Sequence, residues 1–154
     1  MNHHDLTLSF SKLTEQDASL LSKLHPLIFA HQVWTEVDFQ KLLALSTIEG
    51  LLVTTGKKTI GYIIWQKTFD EVEIITFGII PSSQKKGYGQ ILYQQFESHV
   101  FLENCHKIIL DVSSTNHKAI HFYERNGFIP FNTRKNYYIE AGNQVDAILM
   151  MKKL

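Results

Sequence analysis

The chain has 154 residues, of which 44% are hydrophobic and 12% aromatic, enough for one domain with a full apolar core. Lysine plus arginine and aspartate plus glutamate number 15 each, so the formal net charge is zero and the broad positive field of a non-specific nucleic-acid-binding protein is missing. No apolar run approaches the roughly 20 residues of a membrane span, and the single cysteine, Cys105, excludes an internal disulfide. We therefore expect one soluble, cytoplasmic domain over residues 1–154 that binds neither nucleic acid nor membrane.

Two patterns of hydrophobic residues predict the strands and helices. Alternating or short continuous apolar runs indicate strands, whereas apolar residues three and four apart indicate helices. Turn residues mark the boundaries, as where Pro81 follows an apolar run. In chain order, the patterns predict a strand containing Leu6, Leu8 and Phe10, helices over 15–29 and 35–45, strands over 50–55, 59–69 and 74–80, a helix over 88–104, a strand over 107–112, a helix over 116–124, and a hairpin whose strands cover 128–138 and 145–151.

This order of elements predicts an α/β fold in which a mixed sheet of about seven strands carries helices on both faces. The strands on either side of the helix at 88–104 are expected to be parallel, because a helical connection returns the chain to the same end of the sheet. The two helices near the N-terminus would form a lid or floor beside that sheet.

Residues 84–89, with the sequence QKKGYG, lead from a predicted buried strand into a helix. Gly87 and Gly89 therefore lie at a helix N-terminus, where glycine lets backbone N–H groups approach a ligand and the helix end adds partial positive charge. Lys85 and Lys86 add two full charges. The segment predicts a site for a phosphate-bearing ligand, and a basic turn capped by glycines is the alternative interpretation.

Two segments carry a resemblance to a known family. The turn lacks the P-loop pattern and has Leu92 where the dinucleotide fingerprint has its third glycine, but its Q-x-x-G-x-G resembles the acyl-CoA pyrophosphate loop of the GCN5-related N-acetyltransferases, the GNAT family. Residues 110–128, LDVSSTNHKAIHFYERNGF, resemble that family's L-x-V-x-x-x-N-x-x-A-x-x-x-Y-x-x-x-G-F segment at every fixed position. The element order also resembles that of the family. The resemblance implies the GNAT fold and an acetyltransferase that uses acetyl-CoA and no metal.

Three further segments resemble one class within this family, the bacterial ribosomal-protein-alanine acetyltransferases, which modify the α-amino group of a small-subunit ribosomal protein. Residues 34–39, WTEVDF, resemble their P-W-s-e-x-x-F lid, with Val33 where proline is usual. Residues 134–138, RKNYY, resemble their R-x-N-Y-Y run, and residues 146–150, DAILM, resemble their final D-A-x-x-M strand. The relatives surround a peptide N-terminus with these parts.

The residues that this narrower resemblance implies for acceptor binding are Trp34, Tyr137 and Tyr138. Trp34 is as readily a core residue as a wall of the substrate site. Adjacent residues of a strand point to opposite faces, so at most one of Tyr137 and Tyr138 is expected to line the site.

The resemblance implies two catalytic residues. In this family the acceptor amine attacks the thioester carbonyl directly, which requires a neutral amine and a proton for the leaving thiolate. By matching position, Tyr123 would be the general acid, and the alternative is that it only packs on the buried face of its helix. Asp111 stands where the relatives carry a glutamate general base, with a reach shorter by roughly 1.5 Å. If Asp111 is only a polar strand end, the base would be another carboxylate such as Glu71 or Glu73.

The resemblance also implies a set of cofactor contacts. Phe77, Gly78 and Ile79 would offer backbone groups to the pantetheine and thioester, with Gly78 allowing close approach. Asn116 would hydrogen-bond the pantetheine arm, cap its own helix, or do both. The loop residues implied for the rest of CoA are Lys85, Lys86, Gly87, Tyr88, Gly89 and Gln90.

One spacing in the sequence is typical of metal ligands. His117 and His121 lie four residues apart on one predicted helix. No glutamate stands beside the first histidine and no third ligand is evident, so we expect surface histidines rather than a metal site.

The acceptor is open between classes of amine. An α-amino group, with a pKa of about 7.7–8.0, needs only about 1 kcal/mol to be neutral at pH 7, whereas a lysine amine at about 10.4 needs about 4 to 5 kcal/mol. A weak or distant base is therefore more compatible with a protein N-terminus, whereas the aspartate at position 111 slightly favours a small amine. A small amine, such as a polyamine, antibiotic or amino acid, is the alternative with the same chemistry, and a CoA-binding module without turnover is the alternative without it.

Overall fold

The computed structural model describes residues 7–154, so Leu6 of the predicted first strand lies outside the described residues. Within this range the chain forms seven strands and four α-helices. In chain order these are β1 Leu8–Lys12, α1 Ala18–Ile28, α2 Glu36–Leu43, β2 Ile48–Thr55, β3 Lys58–Thr68, β4 Glu71–Ile79, α3 Tyr88–Leu102, β5 Lys107–Ser113, α4 His117–Arg125, β6 Ile129–Glu140 and β7 Asn143–Lys153.

Helix α1 begins later than predicted because residues Glu15–Asp17 form a short 3-10 turn ahead of it. The Thr14 N–H donates a hydrogen bond of 2.8 Å to Asp17 Oδ2, which holds this turn. The helix then continues through Pro26 and ends at Ile28.

The strands form one mixed sheet in the order β1-β2-β3-β4-β5-β7-β6. Every neighbouring pair is antiparallel except β4 and β5, which are parallel because α3 crosses between them. The predicted seven-stranded mixed sheet is therefore confirmed. The predicted pair of parallel strands around the central helix is confirmed as well.

The two faces of the sheet are covered by different helices. On strand β3, Tyr62 packs against His25 of α1, whereas Trp65 packs against Phe96 of α3, with ring centroids 5.0 Å apart. Tyr62 and Trp65 are three residues apart, so they point to opposite faces. These four side chains are almost fully removed from water, and such burial is the main source of stability for a domain of this size.

Strands β4 and β5 pair over only part of their length. Their register runs from Glu71 opposite Lys107 to Ile74 opposite Leu110, and no pairing follows. A bulge at this point places Ile75 between the residues of β4 that pair with Ile64 and Trp65. The two strands separate beyond the bulge, which leaves a gap in the middle of the sheet with one unpaired backbone edge on each side.

The terminal hairpin contains a second, larger irregularity. Arg134 pairs with Ala147 and Tyr138 pairs with Val145, so three residues of β6 face the single residue Asp146. Asn136 adopts a positive φ of 55°, and its N–H donates a hydrogen bond of 2.9 Å to Asp146 Oδ1. Because the bulge adds an even number of residues to β6, Tyr138 remains on the face of the sheet that carries Arg134, and only the residues within the bulge depart from the alternation.

Candidate active site

A groove of about 440 Å³ lies beside the carboxyl end of β4, bounded by the end of α1, the loop after β4 and helix α4. Lys86 and Asp111 are outside its lining. Ten of the residues predicted for catalysis or cofactor binding line it: Phe77, Gly78, Ile79, Lys85, Gly87, Tyr88, Gly89, Gln90, Asn116 and Tyr123. The structure therefore brings the glycine turn and the second resembling segment together in one place.

The glycine turn is shaped to leave its backbone open. Gly87 has a φ of 82°, in the left-handed region, and precedes the first residue of α3. A Cβ at this position would meet no atom within 4 Å, so nothing in the described chain covers the loop there. Gln84 Nε2 donates a hydrogen bond of 2.8 Å to the Ile79 carbonyl and fixes the loop against β4. The unpaired N–H groups of the first turn of α3 are thus presented at the groove.

The charges at the groove are all positive. Lys85 comes from the loop, whereas Lys118 and Arg125 come from helix α4, and no acidic residue is among the described residues that line the groove. Lys118 Nζ also donates a hydrogen bond of 3.0 Å to Gln84 Oε1, which joins α4 to the loop. Lys118 and Arg125 were not among the residues predicted for the site. Their position on the groove side of α4 follows only once that helix is placed beside the loop.

Gly78 has a packing role in addition to its place in the groove lining. A Cβ at Gly78 would lie 2.4 Å from Ile28 Cγ2 and 3.5 Å from Phe29 Cζ. The missing side chain therefore makes room for the end of α1, which packs over β4 and forms one wall of the groove. Ile28 and Phe29 were absent from the predicted site because their contact with β4 depends on how α1 docks.

Two polar groove residues are already engaged in hydrogen bonds. Asn116 Oδ1 accepts a hydrogen bond of 3.2 Å from the Ala119 N–H, so it caps α4 while it also lines the groove. Gln90 exchanges two hydrogen bonds with the Asn126 side chain, of 2.8 and 3.0 Å. The Gln90 amide thus fixes α3 to the end of α4 rather than standing free in the groove.

Tyr123 lies at the inner end of the groove, in an aromatic surrounding. Its ring is 5.4 Å from that of Phe128, 5.5 Å from Phe122 and 6.4 Å from Phe77, and only 8% of the residue is exposed. Burial, with a smaller contribution from the nearby Tyr138, raises the pKa of Tyr123 above the ordinary value of 10. The hydroxyl therefore keeps its proton at neutral pH and is a hydrogen-bond donor there.

The carboxylates lie beyond Tyr123, on the side of the gap that faces the hairpin. Asp111 Oδ2 is 4.0 Å from Nη1 of Arg134. Burial raises the pKa of Glu73, the charge of Asp111 raises it further, and Arg134 opposes both effects. Glu71, the other carboxylate considered as a base, instead pairs with Lys107 at 3.4 Å, at the closed end of the β4–β5 pairing.

Tyr138 interacts electrostatically with both Tyr123 and Asp111. Burial raises the pKa of Tyr138, and the charge of Asp111 adds to this effect. Tyr137 and Tyr138 do not point to opposite faces as expected, because the β6 bulge brings their rings to 4.9 Å in an edge-to-face arrangement. The predicted alternation was therefore wrong at this position. Tyr137 is half exposed and also lies under the guanidinium of Arg134, at 5.3 Å.

Trp34 packs against the core, which is one of the two locations considered for it. Its ring is half-buried and packs 5.3 Å from the rings of His25 and Phe39. His25 is fully buried, its Nδ1 is 2.5 Å from the Tyr62 hydroxyl, and its Nε2 has no protein partner among residues 7–154. Burial lowers the pKa of His25 to about 4, so the ring is neutral at physiological pH. Trp34 thus holds the segment that joins α1 to α2 against the core.

The opposite rim of the gap is tied to the hairpin tip. Thr115 Oγ1, in the β5–α4 loop, donates a hydrogen bond of 2.6 Å to Glu140 Oε2. Hydrogen bonds from Ser113 and Thr115 lower the pKa of Glu140. The loop that precedes Asn116 and the end of β6 are therefore held together.

The two histidines of α4 are exposed, and His121 Nδ1 lies 3.8 Å from Glu124 Oε2, a contact that is an ion pair only when the histidine is protonated. A different group of possible metal ligands, Glu49, His99 and Glu103, has its ligating atoms within 4.8 Å of one another, at the other end of α3 from the groove. In the structure, His99 Nε2 lies 3.1 Å from a Glu49 oxygen and 3.2 Å from a Glu103 oxygen. These contacts form an ion-pair cluster when the histidine is protonated.

Known acetyltransferases resemble this chain in sequence and in structure. The model of the family described as Acetyltransferase (GNAT) family matches residues 19–128. The [ribosomal protein bS18]-alanine N-acetyltransferases of Escherichia coli K12 and Salmonella typhimurium are 27% and 29% identical to this chain, over 76% and 65% of its length and 78% and 68% of theirs. Among residues 7–154, none of the helices combines the length and the hydropathy that a membrane span requires.

Solved structures of two acetyltransferases share the fold over nearly the whole chain. The crystal structure of the ribosomal-protein-S18-alanine N-acetyltransferase from Escherichia coli superposes with a TM-score of 0.90 at 24% identity, covering 96% of this chain and 94% of that one. The spermidine/spermine N-acetyltransferase from Vibrio cholerae superposes with a TM-score of 0.79 at 22% identity, covering 95% of this chain and 92% of that one.

Proposed function

This chain belongs to the GNAT family of acetyltransferases, and we propose that it transfers the acetyl group of acetyl-CoA to the α-amino group at the N-terminus of a protein. The observation that carries the proposal is the gap between β4 and β5, which joins a cationic groove to a cluster of carboxylates and tyrosines. Relatives with the name ribosomal-protein-alanine acetyltransferase support the class of acceptor. A ribosomal acceptor would place the reaction in the cytoplasm.

The groove residues fit the chemistry of CoA. Open backbone N–H groups at the start of α3, beside Gly87, are suited to a pyrophosphate, and Lys85, Lys118 and Arg125 supply positive charge near it. Farther along, the unpaired edge of β4 around Phe77 offers backbone groups to the amides of a pantetheine arm. Lys86, which the groove does not include, would contribute only through its charge.

Tyr123 would protonate the leaving group. Acetyl-CoA supplies an activated acetyl group whose carbonyl carbon bonds to the amine nitrogen while its bond to sulfur breaks. The Tyr123 hydroxyl, which keeps its proton at neutral pH, would donate that proton to the departing sulfur. The aromatic surrounding formed by Phe77, Phe122 and Phe128 excludes water from this step.

Asp111 would take the proton that the amine loses. It lies beside Glu73 on the hairpin side of the gap, and a water can bridge the distance that its short side chain leaves. An α-amine, with a pKa of about 7.7–8.0, is already partly neutral at pH 7, so a base of modest reach is sufficient. This is the physical reason to prefer an N-terminal amine over a lysine side chain.

One observation favours a second candidate, a small amine such as a polyamine. Glu73, Asp111 and Glu140 place carboxylates around the acceptor side of the gap, and multiple carboxylates attract a multiply charged cation. Arg134 stands among the same groups and opposes this attraction.

Release of free thiol from acetyl-CoA tests the proposed function. The purified chain is incubated with acetyl-CoA and, in separate reactions, an alanine-initiated peptide, spermidine and free alanine. We expect release with the peptide at a kcat/KM well above that with the other two amines. Release with spermidine alone would overturn the proposed acceptor, and no release with any amine from the folded, CoA-binding protein would overturn the proposed acetyl transfer.

A further inference from the structure

Arg134 lies on the acceptor side of the gap, on the same face of the sheet as Asp111. We infer that Arg134 selects the acceptor. It favours an amine whose neighbouring carbon bears a carbonyl group, as at every peptide N-terminus, over a polyamine. The inference rests on the proposed function and specifies which acceptors the same site takes.

The position of Arg134 follows from the sheet. Arg134 pairs with Ala147, and Ala147 pairs with Ser113, so the three side chains lie in a row on one face of β6, β7 and β5. Asp111 lies two residues before Ser113 and therefore shares this face. The small side chain of Ala147 leaves Arg134 room to cross β7, and its Nη1 comes to 4.0 Å from Asp111 Oδ2.

Most of the hydrogen-bonding capacity of Arg134 is unused by the protein. Its guanidinium lies 5.3 Å above the Tyr137 ring, and the side chain is about half exposed. The guanidinium makes no hydrogen bond within residues 7–154. An arginine has five N–H donors in a fixed planar arrangement. The contact with Asp111 is long and partly exposed, so it adds little to stability. These donors are available to a bound acceptor.

The reaction fixes where an acceptor must lie. Its amine has to stand between Tyr123, beside the leaving sulfur, and the carboxylates of Asp111 and Glu73. The atoms next to the amine therefore lie within reach of Arg134. In a peptide one of these atoms is a carbonyl oxygen, which accepts a hydrogen bond from the guanidinium. A polyamine has no acceptor atom, and its additional ammonium groups are repelled by the arginine.

Matched acceptors isolate this effect. Alaninamide and isopropylamine differ only in the carboxamide beside the amine, so kcat/KM is measured for both, and for an alanine-initiated peptide and spermidine, with the wild-type chain, Arg134→Gln and Arg134→Lys. Comparing ratios between variants cancels the different intrinsic reactivities of the amines. Lys135→Gln is the control, because Lys135 is the next cation of the same bulge and forms no ion pair among residues 7–154.

We expect Arg134→Gln to lower kcat/KM for alaninamide and the peptide by about tenfold or more, while isopropylamine and spermidine are unchanged or faster. Arg134→Lys should recover the repulsion of spermidine but only part of the peptide rate, and Lys135→Gln should match the wild type. Equal losses with all four amines would overturn the inference and leave acetyl transfer to peptides intact. A wild-type enzyme that acetylates spermidine but not the peptide would overturn both.

Discussion

Glu73 on β4 and Asp111 on β5 lie close enough for the charge of Asp111 to raise the pKa of Glu73. Both residues lie on the same face of the sheet, because Glu73 pairs with Ile109, two residues before Asp111. The pair stands at the point where β4 and β5 separate. Two carboxylates are thus available to receive the proton from the acceptor, and their roles can be distinguished by experiment.

The first prediction assigns the base to Asp111. Asp111→Asn should lower kcat/KM for an N-terminal peptide about 100-fold at pH 7, because general-base catalysis contributes about 10²- to 10⁴-fold and an amine of low pKa needs only part of it. The loss should shrink above pH 8, where the α-amine is neutral without help. A pH profile of kcat/KM measures both effects.

Two variants complete that test. Asp111→Glu should retain activity, because it restores the longer carboxylate of the relatives. Glu73→Gln should lose less activity than Asp111→Asn. If Glu73→Gln is instead the inactive variant and Asp111→Asn keeps the wild-type rate, the base is Glu73.

The second prediction concerns Tyr123. Tyr123→Phe removes only the hydroxyl that would protonate the departing sulfur, so kcat should fall by about 10²- to 10³-fold while the Kd for CoA stays within about twofold of the wild type. Rapid-quench kinetics and calorimetric titration with CoA measure the two quantities. Tyr93→Phe is the control, because Tyr93 is also buried but lines no part of the groove. Equal rates for Tyr123→Phe and wild type would show that Tyr123 only packs in the core.

The third prediction concerns two adjacent lysines with different positions. Lys85 lines the groove and Lys86 does not. Lys85→Gln should raise the Kd for CoA about tenfold at low salt, and Lys86→Gln should raise it less than threefold, since an ammonium farther from the phosphates is more strongly screened. The difference should diminish at high ionic strength. Equal effects of the two substitutions at every salt concentration would mean that the loop binds phosphate differently.

The fourth prediction concerns stability and pH. The pKa of buried His25 is about 4, below the value of 6.5 for the unfolded chain, so the unfolded state binds a proton first as the pH falls. The stabilisation that the neutral ring adds to the free energy of unfolding is fully present above pH 6.5. It is lost between pH 6.5 and 4, and the loss is at most about 3 kcal/mol. Urea unfolding at pH 7.5 and pH 5 measures the change.

His25→Leu should have a smaller fall in the free energy of unfolding between these two pH values than the wild type. His121→Gln, at an exposed histidine, should keep the wild-type fall. A His25→Leu protein with the full pH dependence would assign that dependence to other groups.

The sequence predicted the order of the elements, the parallel pair around α3 and the grouping of the groove residues. Those predictions succeeded because local signals determine them: the apolar period, the glycines of the turn and Asn116 at the start of α4. The glycine turn and α4 then meet because the two parallel strands that precede them end at the same edge of the sheet.

The remaining features depend on contacts between distant residues. The β6 bulge requires the hydrogen bond from Asn136 to Asp146, ten residues away, and without it the adjacent tyrosines would point to opposite faces. Arg134 reaches Asp111 only because β7 lies between their strands with Ala147 at the crossing. The space at Gly78 serves Ile28, and this contact depends on how α1 docks. No short stretch of sequence contains these relationships.

Identifying the amine that receives the acetyl group tests the central claim most directly. The purified chain is incubated with acetyl-CoA and a peptide that begins with alanine and also contains an internal lysine, and the product is sequenced by tandem mass spectrometry. The proposed function predicts a single acetyl group on the α-amine of the alanine. This product should be lost when the Tyr123→Phe variant replaces the wild type. Acetylation of the lysine side chain alone would contradict it.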